Sequence, residues 1–217
     1  MTSTRDEGAR FELVNFDAFA GVDTQTISYQ AERLRVLGFK HEADYCLSSA
    51  KSRGVRFFTR LVSHPAYNSY AEIYQSVEDA RPRAEVRYAF VSLIEPDWRL
   101  SSMGHEPSPL VSLVCSRQRR AWSSHPNADV FAVFDAHLKL RQRLTTKRGL
   151  RVAPLMALEE FFAERQREFL AQREWIEELK RGGIERELFG HPKSFWAGGD
   201  ERAAGGDASD ERAQPRA

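Results

Sequence analysis

The chain has 217 residues, 41% of them hydrophobic and 29% charged, and its 32 basic against 31 acidic side chains leave a formal net charge of +1. Near-neutrality of this kind excludes the global electrostatic signature of a nucleic-acid or acidic-substrate binder, so a charged partner has to use a local patch. No run approaches the roughly 20 apolar residues of a membrane helix, and the first ten residues lack the apolar stretch of a signal peptide, so a cytoplasmic protein without a membrane partner is expected.

Residues 1–10 and 197–217 offer little or nothing to bury; the latter half-repeat themselves as GGDERAA and GGDASDERA and are expected to be disordered. Residues 11–196 are expected to form a single α+β domain. Asp23 or Thr24 can cap a helix in which Ile27, Ala31, Leu34 and Leu37 follow 3.6-residue spacing, with Gly38 ending it. Residues 41–48, 55–62, 70–77 and 86–94 then read as strands, the first three by alternation and the fourth by an apolar run on both faces. Residues 98–103 can add a fifth strand, and the short connections predict an antiparallel four- to five-stranded meander. The apolar run 110–115 reads as a short buried strand of unclear topology. Pro126-Asn127 opens a second helix whose stripe of Val130, Val133, Phe134, His137, Leu140 and Leu144 ends at Gly149. Pro154 sits at the first turn of a third helix, 154–181, stopped by Gly182-Gly183. The expected fold is that meander packed against an N-terminal helix and two C-terminal helices.

Three of the six histidines precede proline, as His64-Pro65, His125-Pro126 and His191-Pro192, and mark element boundaries before anything else. None has the H-x-x-x-H or H-E-x-x-H spacing that places two ligands on one helical face, so no metal is expected. His137 falls inside the apolar stripe of the second helix, where the usual histidine is a hydrogen-bonded core residue. Cys46 and Cys115 lie outside any CxxC pattern, which rules out a disulfide scaffold or a cysteine zinc site. Cys115 precedes Ser116-Arg117, a basic setting that could lower a thiol pKa, although a small apolar residue closing a buried strand explains it as well. G-x-S-x-G, P-loop and G-x-G-x-x-G sequences are missing, so no cofactor is expected. A hydrolase-like site would have to be assembled without a motif, from His64, His137 and Cys115.

Two basic clusters occur, Arg117/Arg119/Arg120 and Lys139/Arg141/Arg143/Lys147/Arg148/Arg151. The second crowds the C-terminal end of a helix, where cations complement the dipole, and only Trp122 hints at the interleaved aromatics of a nucleic-acid site, so nucleic acid is not the expected partner. The third helix carries Glu159, Glu160, Glu164, Glu168, Glu174, Glu177 and Glu178, an acidic face able to pair with the basic end of helix two within the chain or across a homodimer through 154–181.

The run Leu37-Gly38-Phe39, the strand from Phe57 to His64-Pro65, then Tyr70-Ala71, Ile73-Tyr74, the strand 86–94 and Gly104-His105 resembles a family of bacterial proteins of similar length, a domain of unknown function. Here Glu106 separates Gly104-His105 from its proline, and Glu95-Pro96-Asp97 replaces a glycine turn. The resemblance covers about 34–178 and implies one continuous α+β domain, without implying an activity. The leading expectation is a non-enzymatic binding or protein-interaction domain, using either a sheet face that carries Arg56, Phe58, Arg60, Tyr70 and Tyr74 or the groove between sheet and helices. The motif-free hydrolase and a nucleic-acid binder at the basic end of helix two are the alternatives.

Overall fold

The computed structural model describes residues 10–48, 54–82, 84–108, 112 and 119–181. It is an α+β fold: strands β1 (Arg10–Leu13), β2 (Lys40–Ser48), β3 (Val55–His64), β4 (Ser69–Glu78), the two-residue β5 (Arg81–Pro82), β6 (Arg87–Ile94), β7 (Trp98–Met103) and β8 (Arg120–Ser124) form one sheet, joined by helices α1 (Thr24–Val36), α2 (Val130–Arg148) and α3 (Leu158–Arg181). Sheet order is β1-β2-β3-β4-β6-β7-β8, with β5 on the end of β4. Pairings from β1 to β7 are antiparallel, but β8 joins β7 in parallel, Arg99 facing Arg120 and Met103 facing Ser124. The sheet is therefore mixed and longer than a four- or five-stranded antiparallel meander. Two of the additional strands had little apolar alternation to announce them. In β1, RFEL, three of four residues are exposed, and in β8, RAWSS, every residue is only half-buried. The start of β1 at Arg10 also shortens the N-terminal segment expected to be disordered, while the run 110–115, except Ser112, and the tail 197–217 lie outside the described residues.

Helix α1 starts where Asp23 accepts hydrogen bonds from the Thr26 N–H (2.9 Å) and hydroxyl (2.7 Å), and these hold the Asp23 carboxyl below its usual range. The N–H of Asp23 donates to the side chain of Gln75 (2.8 Å), which pins this cap to β4. Ile27 and Leu34, one face of the helix, are fully buried. Asp129 caps α2 in the same way, accepting from the Ala132 N–H at 2.9 Å, and Gly149 ends it.

Period-two alternation puts two different cores on the sheet. One face carries Phe58, Val62, Ile73, Val77 and Phe90 beneath α1 and α2, with Ile27, Leu34, Val130 and Val133. The other carries Tyr45, Leu61, Tyr70 and Val91 against Phe161 at the start of α3. Helices α2 and α3 therefore lie on opposite sides of the sheet. This overturns the expected pairing of α2's basic end with α3's acidic face inside the chain, since the sheet stands between them. Helix α3 begins at Leu158 rather than at Pro154, because the preceding residues bridge back to β6 through Val152 and Ile94.

Candidate functional site

Burial sets what each candidate residue can do. His137, on the sheet-facing stripe of α2, is fully buried, and both ring nitrogens are used: Nε2 lies 2.8 Å from Ser92 Oγ and Nδ1 3.1 Å from Ser102 Oγ. The hydroxyls continue in both directions. Ser92 reaches Ser69 (2.9 Å), whose hydroxyl donates to the Tyr67 carbonyl (3.1 Å); Ser102 accepts from Ser123 (3.0 Å), which meets His125 Nε2 (3.0 Å). A carbonyl can only accept, so with Ser69 donating to it, Ser92 donates to Ser69 and His137 donates from Nε2 to Ser92. Nδ1 then accepts from Ser102. Each hydroxyl in the row gives one hydrogen bond and takes at least one. Burial, then the nearby Arg141 guanidinium, depresses His137 to about 3, so the ring is neutral.

A serine 2.8 Å from a histidine has the separation of a nucleophile and its base. Here the polarity is opposite, since the imidazole donates to Ser92 and cannot take its proton. Both residues are fully buried, and the ring is oriented by a serine rather than by a carboxylate. His64 occupies the same sheet face. Its Nε2 donates to the Leu37 carbonyl (2.9 Å), its ring packs edge-on to Phe39 and stacks at 5.9 Å on Phe134, and it is 8% exposed. His64 and His137 are linked through Phe134 and Phe90, whose rings lie between them. Cys115 lies outside the described residues.

The residues expected to share one sheet face divide between the two. In the pairing of β3 with β4, Thr59 faces Tyr74 and Phe58 faces Gln75, so Phe58 and Arg60 point to the α1/α2 side while Tyr70 and Tyr74 point to the α3 side. Phe58 is fully buried, and Tyr70 is held at 3% exposure by the Met156 N–H, which donates to its hydroxyl (2.6 Å). Arg60 makes a bidentate pair with Asp44 (2.7 and 2.9 Å) and lies over the Phe16 ring (3.9 Å). Tyr74 is 3.2 Å from His105 Nε2; burial, and then Arg87, lowers His105 to about 4. These contacts occupy the groups that the sequence had offered to a ligand.

The α3 side holds a second polar layer that no spacing in the sequence announces. Glu168 pairs with Arg99, Arg120 and Arg165, and Arg165 reaches Glu72 (3.3 Å), which accepts from the Tyr45 hydroxyl (3.1 Å). Burial pushes the Glu168 carboxyl up, but Arg99, Arg165 and Arg120 outweigh it and hold it at about 2. Burial pulls Arg165 down, and the Glu72 carboxylate, followed by Tyr45 and Glu168, more than reverses this. Arg119 pairs with Asp97, so both described members of the first basic cluster are committed to carboxylates. Among the described residues no group of three His, Cys, Asp or Glu could hold a metal ion.

The outer surface of the α1/α2 layer is different. Tyr29 (58% exposed), Val36 (67%) and Arg33 line one stripe of α1, and Arg33 lies over both the Tyr29 ring (5.6 Å) and the Phe131 ring of α2 (4.7 Å). Tyr67, 42% exposed, packs on Phe134 in the same layer and takes Arg141 over its ring. Among the described residues, four of the five exposed large apolar side chains thus belong to this layer, the fifth being Leu13. Arginine between two aromatic faces and scattered exposed aromatics are the composition of contact surfaces. No helix of the described residues is long and apolar enough to cross a membrane. Comparison of the chain with protein-family models, with curated proteins and with solved structures gives no match.

Proposed function

We propose that the chain is a non-enzymatic protein-interaction domain whose contact surface is the outer side of α1 and α2. The observation that carries this reading is the pair of exposed rings Tyr29 and Phe131 holding half-buried Arg33, which also pairs with Asp129 (3.8 Å), with exposed Val36 beside them. It stands in contrast to the sheet interior, where the histidines are buried and their described hydrogen bonds go to the protein itself. An aromatic pair that holds a guanidinium in place supplies rigid apolar area at small entropic cost, the property of interface anchors. The test is affinity capture from cell extract with the full chain and with Tyr29→Ser/Phe131→Ser and Leu13→Ser variants. The reading expects a partner retained by the wild type and by Leu13→Ser and lost with the double variant. Equal capture by all three overturns it, as does an ester or amide hydrolysis activity that disappears in a folded His137→Gln variant.

A further inference from the structure

Strand β1 is one end of the sheet, with only β2 beside it. In the β1/β2 ladder the Val14 N–H donates to the Asp44 carbonyl at 2.9 Å, and the register carries the alternation back to Glu12 against Cys46 and Arg10 against Ser48. Those residues turn their N–H and C=O groups toward β2. Phe11 and Leu13 therefore turn theirs outward, where among the described residues nothing pairs with them. The side chains of this edge are uncommitted as well. Arg10 and Glu12 are exposed on one face, and neither has an ion-pair partner among the described residues. On the other face Phe11 is half-buried against Tyr45 (5.9 Å) and Phe162 (6.1 Å), and Leu13 is 66% exposed.

We propose that this edge pairs with β1 of a second copy of the chain, antiparallel about a two-fold axis at Phe11, so that the sheet continues from one copy into the other. The charges select that register. With Phe11 opposite its mate, the outward N–H and C=O groups of the two Phe11 residues exchange two hydrogen bonds. The flanking positions then set Arg10 of each copy directly opposite Glu12 of the other, in the closer, non-hydrogen-bonded kind of pair, with Cα atoms about 4.5 Å apart. A two-fold axis at Glu12 would place two carboxylates face to face, and one at Leu13 would leave both charges without a mate. The Phe11 register also brings the two half-buried rings together and puts each Leu13 diagonal to the mate's Phe11, within reach of an aromatic side chain. Charges blunt an edge strand when they face their like, whereas here RFEL is complementary to itself. This self-association is separate from the α1/α2 surface proposed above and does not depend on it.

The experiment is sedimentation velocity of the full chain over micromolar to millimolar concentrations, with Arg10→Glu, Glu12→Arg and the charge-swapped double variant alongside the wild type. Both side chains are exposed, so each variant should keep the wild-type urea midpoint. The wild type is expected to dimerise, and more weakly as salt is added. Because the two-fold axis repeats every pair, a single substitution turns two attractive contacts into two repulsive ones, and the dissociation constant should rise by about tenfold or more. The double variant restores opposite charges and should dimerise like the wild type. An equimolar mixture of the two single variants should also associate, although neither does so well alone. A monomer at every concentration overturns the proposal and leaves the edge to an extended segment of some other protein. A dimer indifferent to the single variants overturns it by placing the contact elsewhere, for instance along α3. Single variants that weaken the dimer but are rescued neither by mixing nor by the charge swap overturn the register.

Discussion

His64 donates a hydrogen bond from Nε2 to the carbonyl of Leu37 at 2.9 Å, joining the end of β3 to the end of α1. The next residue, Gly38, has φ +96°, and a Cβ there would lie 3.1 Å from His64 Nε2. Phe39 then meets the same imidazole edge-on at 5.1 Å. Leu37-Gly38-Phe39 and His64-Pro65, which stand out in the sequence as short motifs, are thus two halves of one joint. Gly104 and His105 form a comparable one: the Tyr88 ring fills the place of a Cβ at Gly104, and Tyr74 contacts His105.

This joint can be measured by a double-mutant cycle. Gly38→Ala is expected to cost about 1–2 kcal/mol for the left-handed backbone and more for crowding His64. His64→Ala is expected to cost about 2–4 kcal/mol through lost packing and the orphaned Leu37 carbonyl. Because removal of the imidazole relieves the crowding, the double variant should be less destabilised than the sum of the two, read from urea midpoints; strict additivity contradicts the contact.

His137 carries an acid-sensitivity prediction. Its ring takes a proton near 6.5 when unfolded and only at about 3 when folded. Between those values the unfolded chain binds the additional proton, so stability rises with pH there and falls as pH drops from 6.5 toward 3, with no contribution from this ring above 6.5. His105 acts in the same direction down to about 4. Replacing His137 by Gln should flatten part of the decline, measured as urea midpoint against pH. Nitrogen-15 NMR should show the Nε2–H tautomer of His137 throughout about pH 5 to 8; the Nδ1–H form contradicts the hydroxyl order described for Ser69, Ser92 and Ser102.

Glu168 compensates three guanidiniums. Glu168→Gln leaves Arg99, Arg120 and Arg165 with less counter-charge in a buried layer and is expected to cost about 3–5 kcal/mol in chemical denaturation. Its folded value of about 2 lies below the ordinary 4.5, so the stability it contributes is complete above 4.5 and lost as pH falls toward 2. The variant should lose that acid dependence. A near-neutral substitution contradicts the cluster's role.

Tyr29→Ser is expected to change stability by no more than about 0.5 kcal/mol, since the ring is 58% exposed and contributes little to the core. Thermal unfolding decides this, and a large loss would show that Tyr29 holds the fold rather than a contact surface.

The elements that alternate or repeat cleanly were legible. Strands β2, β3, β4, β6 and β7 fall within a few residues of their sequence-based bounds, because one or both of their faces are packed with Phe58, Ile73, Phe90 and their neighbours. His137 was readable as a core histidine from its place in the stripe of α2. Its partners were not, since Ser69, Ser92, Ser102 and Ser123 come from four strands and a serine bears no mark of the bond it will make. The Glu168 layer was hidden for the same reason: Arg99, Arg120 and Arg165 converge only once β7 and β8 run in parallel. The expected pairing of the basic end of α2 with the acidic face of α3 inside the chain failed because the alternation of the strands, which sets the side of the sheet each helix takes, was not carried through to the helices.

The parallel pairing of β8 also sets an order of assembly. Strands β2 to β7 can zip up one after another from neighbouring segments, whereas β8 must return to the starting end of β7 before its first bond, Arg99 to Arg119, can close. A contact that waits for a long intervening segment to bring its ends together forms late. Refolding followed by pulsed hydrogen exchange should therefore protect the amides of β3 and β4 before those of β8, and Ser123 and Glu168 should acquire their partners in the last step.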